Sequence, residues 1–347
     1  MIIDLSDEAQ EFGREALRAF ESAGGDLLVQ RAEADPSTRD ALCADVLREL
    51  GVWDLEPRDD MDSLEAAAAV CRSAGYWALP YPVAERLSRP ATIDVDGLLV
   101  VADNRPSAPI VGVDARWAAI TLDGARHRVT GSAPSGPAFV ANLDLEPLDA
   151  DGGPDLALAL TLPCWTLLGM LDRALELTIA HVTMRQQFGQ PLSAFQSVQF
   201  QLTDGEVERA GLEVLAKYTL WSVGTARDEA IDDALALRMA ALEAAEVVFR
   251  VTHQLHGAVG FCDETTLSWL SRYSQPLRRL PLGLSATRDL LTARVDRSGL
   301  VGLYGAGSNV AGSPAPDSNV AGSPAPDSNV AGSPAPDSNV AGSPAPA

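Results

Sequence analysis

Three kinds of hydrophobic pattern follow one another along the chain. Up to about Leu87 the apolar residues recur at helical spacing. "LSDEAQEFGREALRAFESAGG" places Phe12, Ala16, Leu17 and Phe20 on one stripe, with Ser6 as N-cap and Gly24 as stop. "STRDALCADVLRELG" predicts a helix starting on Ser37 and closing on Gly51. "MDSLEAAAAVCRSAGYW" predicts another starting on Asp62 or Ser63 and closing near Gly75. The prolines of "LPYPVAERLSRP" end this region.

From about Ala91 to Gly153 the period falls to two. "DGLLVVAD", "APIVGVD", "RWAAITLDG", "RHRVTG" and "AFVANLDL" are short apolar runs bounded by Gly, Asp and Pro, which predicts a small antiparallel sheet or barrel. At Leu162 the helical period returns in three long amphipathic stretches, through "RQQFG", through "LWSVG" and through "THQLHG". Short loops between long helices predict an antiparallel four-helix bundle, its last member running through "TTLSWLSRYS" or from Ser285. The expected architecture is mainly α with a small β middle domain: 1–88 helical, 89–153 β, 154–300 bundle, 301–347 a tail. From Ser308 the tail repeats "SNVAGSPAPD" four times, the last copy ending in Ala347. Such a composition cannot bury enough apolar surface to offset chain entropy, so disorder is expected there.

Composition narrows the function. A chain of 347 residues, 46% hydrophobic, can bury a substantial core. With 48 acidic against 26 basic residues and a net charge of -22, nucleic acid and anionic membrane surfaces are poor general partners. No apolar run approaches the roughly 20 residues of a membrane span, and "MIIDLSDEAQ" has no signal-peptide pattern, so a cytoplasmic place is expected. Cys43, Cys71, Cys164 and Cys262 form no C-x-x-C pair, which disfavours a disulfide framework or zinc site and predicts buried thiols. No E-x-x-H lies in the bundle and no G-x-G-x-x-G follows a strand, which argues against a di-iron centre and a Rossmann cofactor site. No metal is expected. His253 and His256 read as packing or capping residues, and His181 as a helix flank.

One basic residue stands out in so acidic a chain. "RQQFGQPLSAFQSVQ", residues 185–199, interrupts two helical patterns with Arg185, an aromatic, a glycine and several glutamines. The planar donors of an arginine suit an anion. With no ligand at all, Arg185 would favour a helix C-terminus and Phe188 would be core. "QLHGAVGF", residues 254–261, is a second glycine-containing element further on.

In this order and spacing the segments resemble the acyl-CoA dehydrogenase family along residues 1 to 295. R-x-x-F-G-x-P-L-x-x-F-Q is its most specific signature here. "QLHGAVGF" is similar to the family's Q-x-x-G-G-x-G-F/Y element, with Ala258 in place of one Gly. The resemblance implies an FAD at a subunit interface, reached by the bundle of one subunit from its neighbour. Arg185 would meet the pyrophosphate, Phe188 the flavin or adenine region, and Gly189 would permit the exit from the helix. Gln187 and Gln196 would donate amide hydrogen bonds, while Gln254, Gly257 and Ala258 would let backbone approach the cofactor.

The chain also departs from the family. The reaction implied is α,β-desaturation of an acyl-CoA thioester, which needs a Glu to take the α-proton. The family's two positions for that Glu fall near Ala159 and Pro281, and neither is a carboxylate. Asp155 is a displaced alternative. The T-E-P-x-x-G-S-D segment has no counterpart between Ala91 and Gly153. The resemblance therefore implies a companion subunit of a heteromeric (α2β2) acyl-CoA dehydrogenase, of the kind found in bacteria that degrade steroids. It would contribute FAD contacts while a catalytic partner subunit supplies the Glu, with electron-transfer flavoprotein as electron acceptor. A self-sufficient homomeric flavoenzyme and a non-enzymatic scaffold are the alternatives.

Overall fold

The computed structural model describes residues 4–298; the repeats at 308–347 lie outside the described residues. The N-terminal part consists of α1 (Asp7–Ala23), α2 (Leu27–Ala34), α3 (Arg39–Glu49), α4 (Met61–Tyr76) and α5 (Val83–Leu87). Ser6 caps α1, its hydroxyl accepting from the Ala9 N–H at 3.3 Å, and Gly24 ends it at φ 141°. Two other helix starts differ from the sequence reading. The Asp35 carboxylate accepts from the Ser37 N–H (3.1 Å) and begins a single 3-10 turn, Pro36–Thr38, ahead of α3. Asp60 accepts from the Ser63 N–H (2.7 Å), so α4 begins at Met61. In both places an aspartate just upstream displaces the expected start, Ser37 in one and Asp62 or Ser63 in the other, because its side chain reaches two or three residues forward.

The sheet holds β1 (Gly97–Val101), β2 (Ser107–Ala108), β3 (Trp117–Thr121), β4 (Ala125–Pro134) and β5 (Ala141–Asp151), in the order β1-β3-β4-β5-β2. It is not wholly antiparallel as expected, since β1 runs parallel to β3 from Gly97↔Trp117 to Val101↔Thr121. The apolar run at 108–113 explains this. Only Ser107 and Ala108, at its start, pair, and they pair with β5, so the chain leaves β1, visits the opposite edge and returns to β3 in the same direction. Alternation then splits the strands between two cores. Leu98, Ala118 and Ile120 pack on Leu156, Ala159 and Leu160, while Leu99, Val101, Trp117 and Ala119 face Ile110, Ala141 and Leu143.

The helical remainder begins with α6 (Gly153–Met184), followed by a hairpin of β6 (Gln186–Gln187) and β7 (Gln190–Pro191). Then come α7 (Gln196–Gly224), α8 (Ala230–His256), α9 (Thr266–Tyr273), α10 (Gln275–Arg279) and α11 (Leu284–Ser298). The fourth long member of the bundle is α11, packed on α8; "TTLSWLSRYS" forms the separate short α9. One helix, spanning residues 155–184, is long and apolar enough to cross a membrane, but 83% of its most apolar window is buried. Its apolarity is explained by its place at the centre. Two glycines permit that place: a Cβ on Gly75 would lie 1.8 Å from the Thr166 carbonyl oxygen, and one on Gly169 1.8 Å from that of Arg72. The backbones of α4 and α6 therefore touch. Near that contact Arg72 and Arg209 grip Asp172 and Glu213, tying α4, α6 and α7. Desolvation alone would raise the Glu213 carboxyl, but Arg209, Arg72 and Lys217 prevail and hold it at about 2. Three cysteines are buried as expected, whereas Cys262, beyond the last turn of the glycine element, is exposed.

Candidate functional site

The residues singled out from sequence fall at the two ends of α6. At its C-terminal end, the Arg185 N–H donates to the His181 carbonyl (2.8 Å), and the Leu192 N–H donates back to the Arg185 carbonyl (2.8 Å). Between them the chain reverses through Phe188 and Gly189, at φ 53° and 81°. Two consecutive left-handed residues between paired strands are the geometry of a tight type I′ hairpin. Glycine takes it freely; phenylalanine does so at a cost. Phe188 is 91% exposed, its ring edge-on to Phe195 at 6.2 Å, so the reading of Phe188 as core is wrong. Arg185 is exposed too, and its guanidinium has no hydrogen-bond or ion-pair partner among the described residues.

The C-terminus of α8 arrives at the same place. Gly257 adopts φ 63°, ψ -146°, a region that essentially only glycine occupies, and nothing lies within 4 Å of where its Cβ would be. Phe261 folds back to stack on His253 at 4.3 Å, and His256 stacks on His181 at 4.4 Å. The second stack joins the two helix ends. Gln187, Gln196, Gln254, Gly257 and Ala258 are all exposed at this end, with Arg185 and Phe188. Burial and then the nearby Arg185 hold the His181 ring below the ordinary histidine range; burial does the same for His256. An unpaired guanidinium beside neutral imidazoles, apolar ring faces and open backbone can accept an anion and a flat ring together.

The N-terminal end of α6 is different. Ala159 and Pro281 line one cavity of about 50 Å³, together with Glu85, Pro163 and Arg238. Pro163 has no N–H to give the Ala159 carbonyl, so the helix ladder is interrupted at this wall. A neighbouring cavity of about 70 Å³ is lined by Arg39, Tyr81, Phe139, Met170, Tyr273 and again Glu85. Two buried arginines close these spaces. Arg238 donates to the carbonyls of Leu277 (3.2 Å), Leu280 (2.6 Å) and Leu282 (2.7 Å), pinning the segment that carries Pro281. Arg39 donates to the carbonyls of Pro80 (2.8 Å), Pro109 (3.1 Å) and Val111, and lies 4.0 Å over the Phe139 ring; burial pushes it down to about 10.

Glu85 was not picked out from the sequence, yet it is the one carboxylate lining either cavity. Desolvation raises its carboxyl above the ordinary range, with Arg39 opposing. Its signal was a lone acid in "PVAERL", a five-residue helix too short to show a period. Asp155 is not a displaced base. It is buried between Arg58 (2.7 Å) and Arg126, both of which it pairs with, and so anchors the first turn of α6 to the sheet. From Ala159 to Arg185 there are 26 residues, about 39 Å along a helix. Arg185 therefore cannot serve the cavity at Ala159 in its own chain.

Residues 161–281 match the family described as acyl-CoA dehydrogenase, C-terminal domain. These helices are similar to an acyl-CoA dehydrogenase C-terminal domain. Acyl-CoA dehydrogenase FadE28 of Mycobacterium tuberculosis is 32% identical over 208 residues, 57% of this chain and 58% of that protein. The chain thus spans little more than half of that relative. Among solved structures, the ChsE4-ChsE5 complex from M. tuberculosis aligns with a TM-score of 0.70 at 18% identity, covering 87% of this chain and 100% of the other. A variant of the Tcur3481-Tcur3483 steroid ACAD aligns with a TM-score of 0.68 at 20% identity, covering 84% of this chain and 98% of the other. At such identities the structures extend the acyl-CoA dehydrogenase likeness to the fold of the whole described chain, its helices and small sheet included.

Proposed function

We propose that this chain is the companion subunit of a heteromeric, FAD-dependent acyl-CoA dehydrogenase acting on a bulky, steroid-derived acyl-CoA in the cytoplasm. One observation carries the reading. Arg185 stands exposed and, among the described residues, unpaired some 39 Å along α6 from a cavity in which neither Ala159 nor Pro281 is a carboxylate. An anion-binding end far from a cavity with no carboxylate at either family position is suited to a ligand held by another chain.

The residues at the Arg185 end fit such a cofactor. Arg185 would meet the pyrophosphate, Gln187, Gln196 and Gln254 would give amide hydrogen bonds, Phe188 would cover an apolar ring, and Gly257 and Ala258 would admit the cofactor against backbone. Bound FAD supplies the hydride acceptor, and electron-transfer flavoprotein takes its electrons onward. The partner subunit supplies the base, in an α2β2 assembly. At about 50 and 70 Å³ the cavities beside Ala159 are far below the 300 Å³ or more usual for a small-molecule site, which supports placing the acyl group in the partner. The names of the ChsE4-ChsE5 complex and the steroid ACAD support the heteromeric and steroid parts of the reading.

The test is flavin absorbance per chain, measured for the protein expressed alone and co-expressed with the dehydrogenase-like product of an adjacent gene. A colourless chain alone and a yellow complex with about one flavin per heterodimer is the expected result. A chain yellow alone supports the second reading, a self-sufficient flavoenzyme. Two features favour that reading: Glu85, and an apolar hollow of about 320 Å³ between the turn at 136–140 and Tyr273–Leu280.

A further inference from the structure

Of the 26 basic residues, 25 are arginine and one, Lys217, is lysine. The difference is chemical. A guanidinium stays protonated at physiological pH, whereas an ε-amine that loses its proton is a nucleophile and a common target of acylation. Its lone pair attacks a thioester carbonyl, the C–S bond breaks, and the departing thiolate takes up a proton, leaving an amide and a free thiol. For a chain set beside an acyl-CoA, the reading on which this inference rests, every open lysine is a site of slow modification.

Lys217 is closed. It lies on α7 with its side chain only 19% exposed, and its Nζ is 3.0 Å from the Asp4 carboxylate and 3.1 Å from that of Glu213. Burial alone would ease the loss of its proton, but Asp4 and Glu213 prevail and raise its proton affinity above the ordinary lysine range. The pairing also fastens the start of the chain to the bundle, since Ser6, two residues beyond Asp4, caps α1. An acyl group on Nζ would cancel the charge and free Asp4 from α7. We propose that this chain is built to escape N-acylation by the thioesters it works beside: arginine serves as its cation everywhere but once, and its one side-chain amine, Lys217, is shielded by Asp4 and Glu213.

The probe is acetyl-CoA in excess over the full chain at about pH 8.5, where about one per cent of a free lysine amine is deprotonated. Peptide masses then give the rate at each lysine. Arg105→Lys supplies the comparison, because Arg105 is exposed and its side chain has no partner among the described residues. In the folded chain Lys217 should acetylate at least about tenfold more slowly than the lysine introduced there, since it must leave two carboxylates before it reacts. In urea the two should react alike. Asp4→Asn should speed Lys217 by about two- to fivefold, the worth of one exposed ion pair. An Arg-rich composition with no shield predicts equal rates in the folded chain, and that result overturns the proposal; so does a Lys217 rate that Asp4→Asn leaves unchanged. The readout is the mass of this chain's own peptides and needs neither flavin nor partner, so its failure is distinguishable from failure of the companion reading.

Discussion

The imidazole of His181 lies flat on that of His256, ring centroids 4.4 Å apart and planes 20° from parallel. The pair joins the end of α6, which continues into the Arg185 hairpin, to the end of α8, which continues into Gly257. His256 is buried, with Nδ1 2.9 Å from the Thr252 carbonyl oxygen, and its proton affinity is lowered chiefly by desolvation. A histidine whose folded-state pKa is depressed adds stability above its unfolded pKa, near 6.5, that is lost as pH falls through the folded value. The thermal midpoint should therefore be flat above about pH 7 and fall below about pH 6.5. In His256→Gln the part of that fall due to this residue should vanish. A variant with an unchanged pH profile would show that the stack does not couple the helix ends.

Arg185 gives a prediction of the opposite kind, large in binding and small in stability. A charge-assisted hydrogen bond to phosphate is worth about 1.5–3 kcal/mol, or roughly ten- to a hundredfold in affinity. Arg185→Ala should weaken FAD retention by the assembled complex by that factor. Because the side chain is exposed and has no partner among the described residues, stability should change by no more than about 0.5 kcal/mol. Arg185→Lys should fall between, keeping the charge but losing the planar fork. Equilibrium dialysis of FAD alongside denaturant unfolding separates the two effects; unchanged retention in Arg185→Ala would favour the scaffold alternative.

Asp155 shows where a sequence reading runs out. As a position near a family site it is a candidate base; as a structure it is the counter-ion of Arg58 and Arg126. Burial, and then Arg126, pushes Arg58 down to about 10, which leaves two cations leaning on one carboxylate. Removing one partner of a buried ion pair costs about 3–5 kcal/mol, so Asp155→Asn should destabilise the chain by that order in urea unfolding. A variant as stable as wild type would mean that the ion pairs contribute nothing net.

Much of the fold was legible because its signals are periodic. The α1 stripe ending on Phe20, the Ser6 cap, the Gly24 stop and the three long bundle helices all rest on repeated spacing. What escaped were single-residue decisions. Asp35 and Asp60 displaced the expected caps by reaching forward. A two-residue β2 turned an expected antiparallel pair into a parallel one. Arg238 sits in "ALALRMAALE", a pattern that says helix and nothing of the three carbonyls the guanidinium meets some 40 residues later. The exposure of Phe188 depends on a hairpin turn that hydrophobicity alone does not announce.

Glu85 separates the companion reading from its rival by kinetics. It lines the cavity that Ala159 and Pro281 share, and desolvation keeps its carboxyl above the ordinary range, both qualities of a general base. Its space is about 50 Å³, room for a few waters and not for a thioester. If the base belongs to the partner, Glu85→Gln in the assembled complex should leave kcat within about twofold. The chain itself should be no less stable at neutral pH, since a neutral amide is easier to bury than a carboxylate. If instead this chain carries the base, the same substitution should lower kcat by 10²-fold or more, the usual worth of a positioned proton acceptor. Stopped-flow reduction of the flavin by substrate measures the chemical step directly and gives the two readings different answers from one variant.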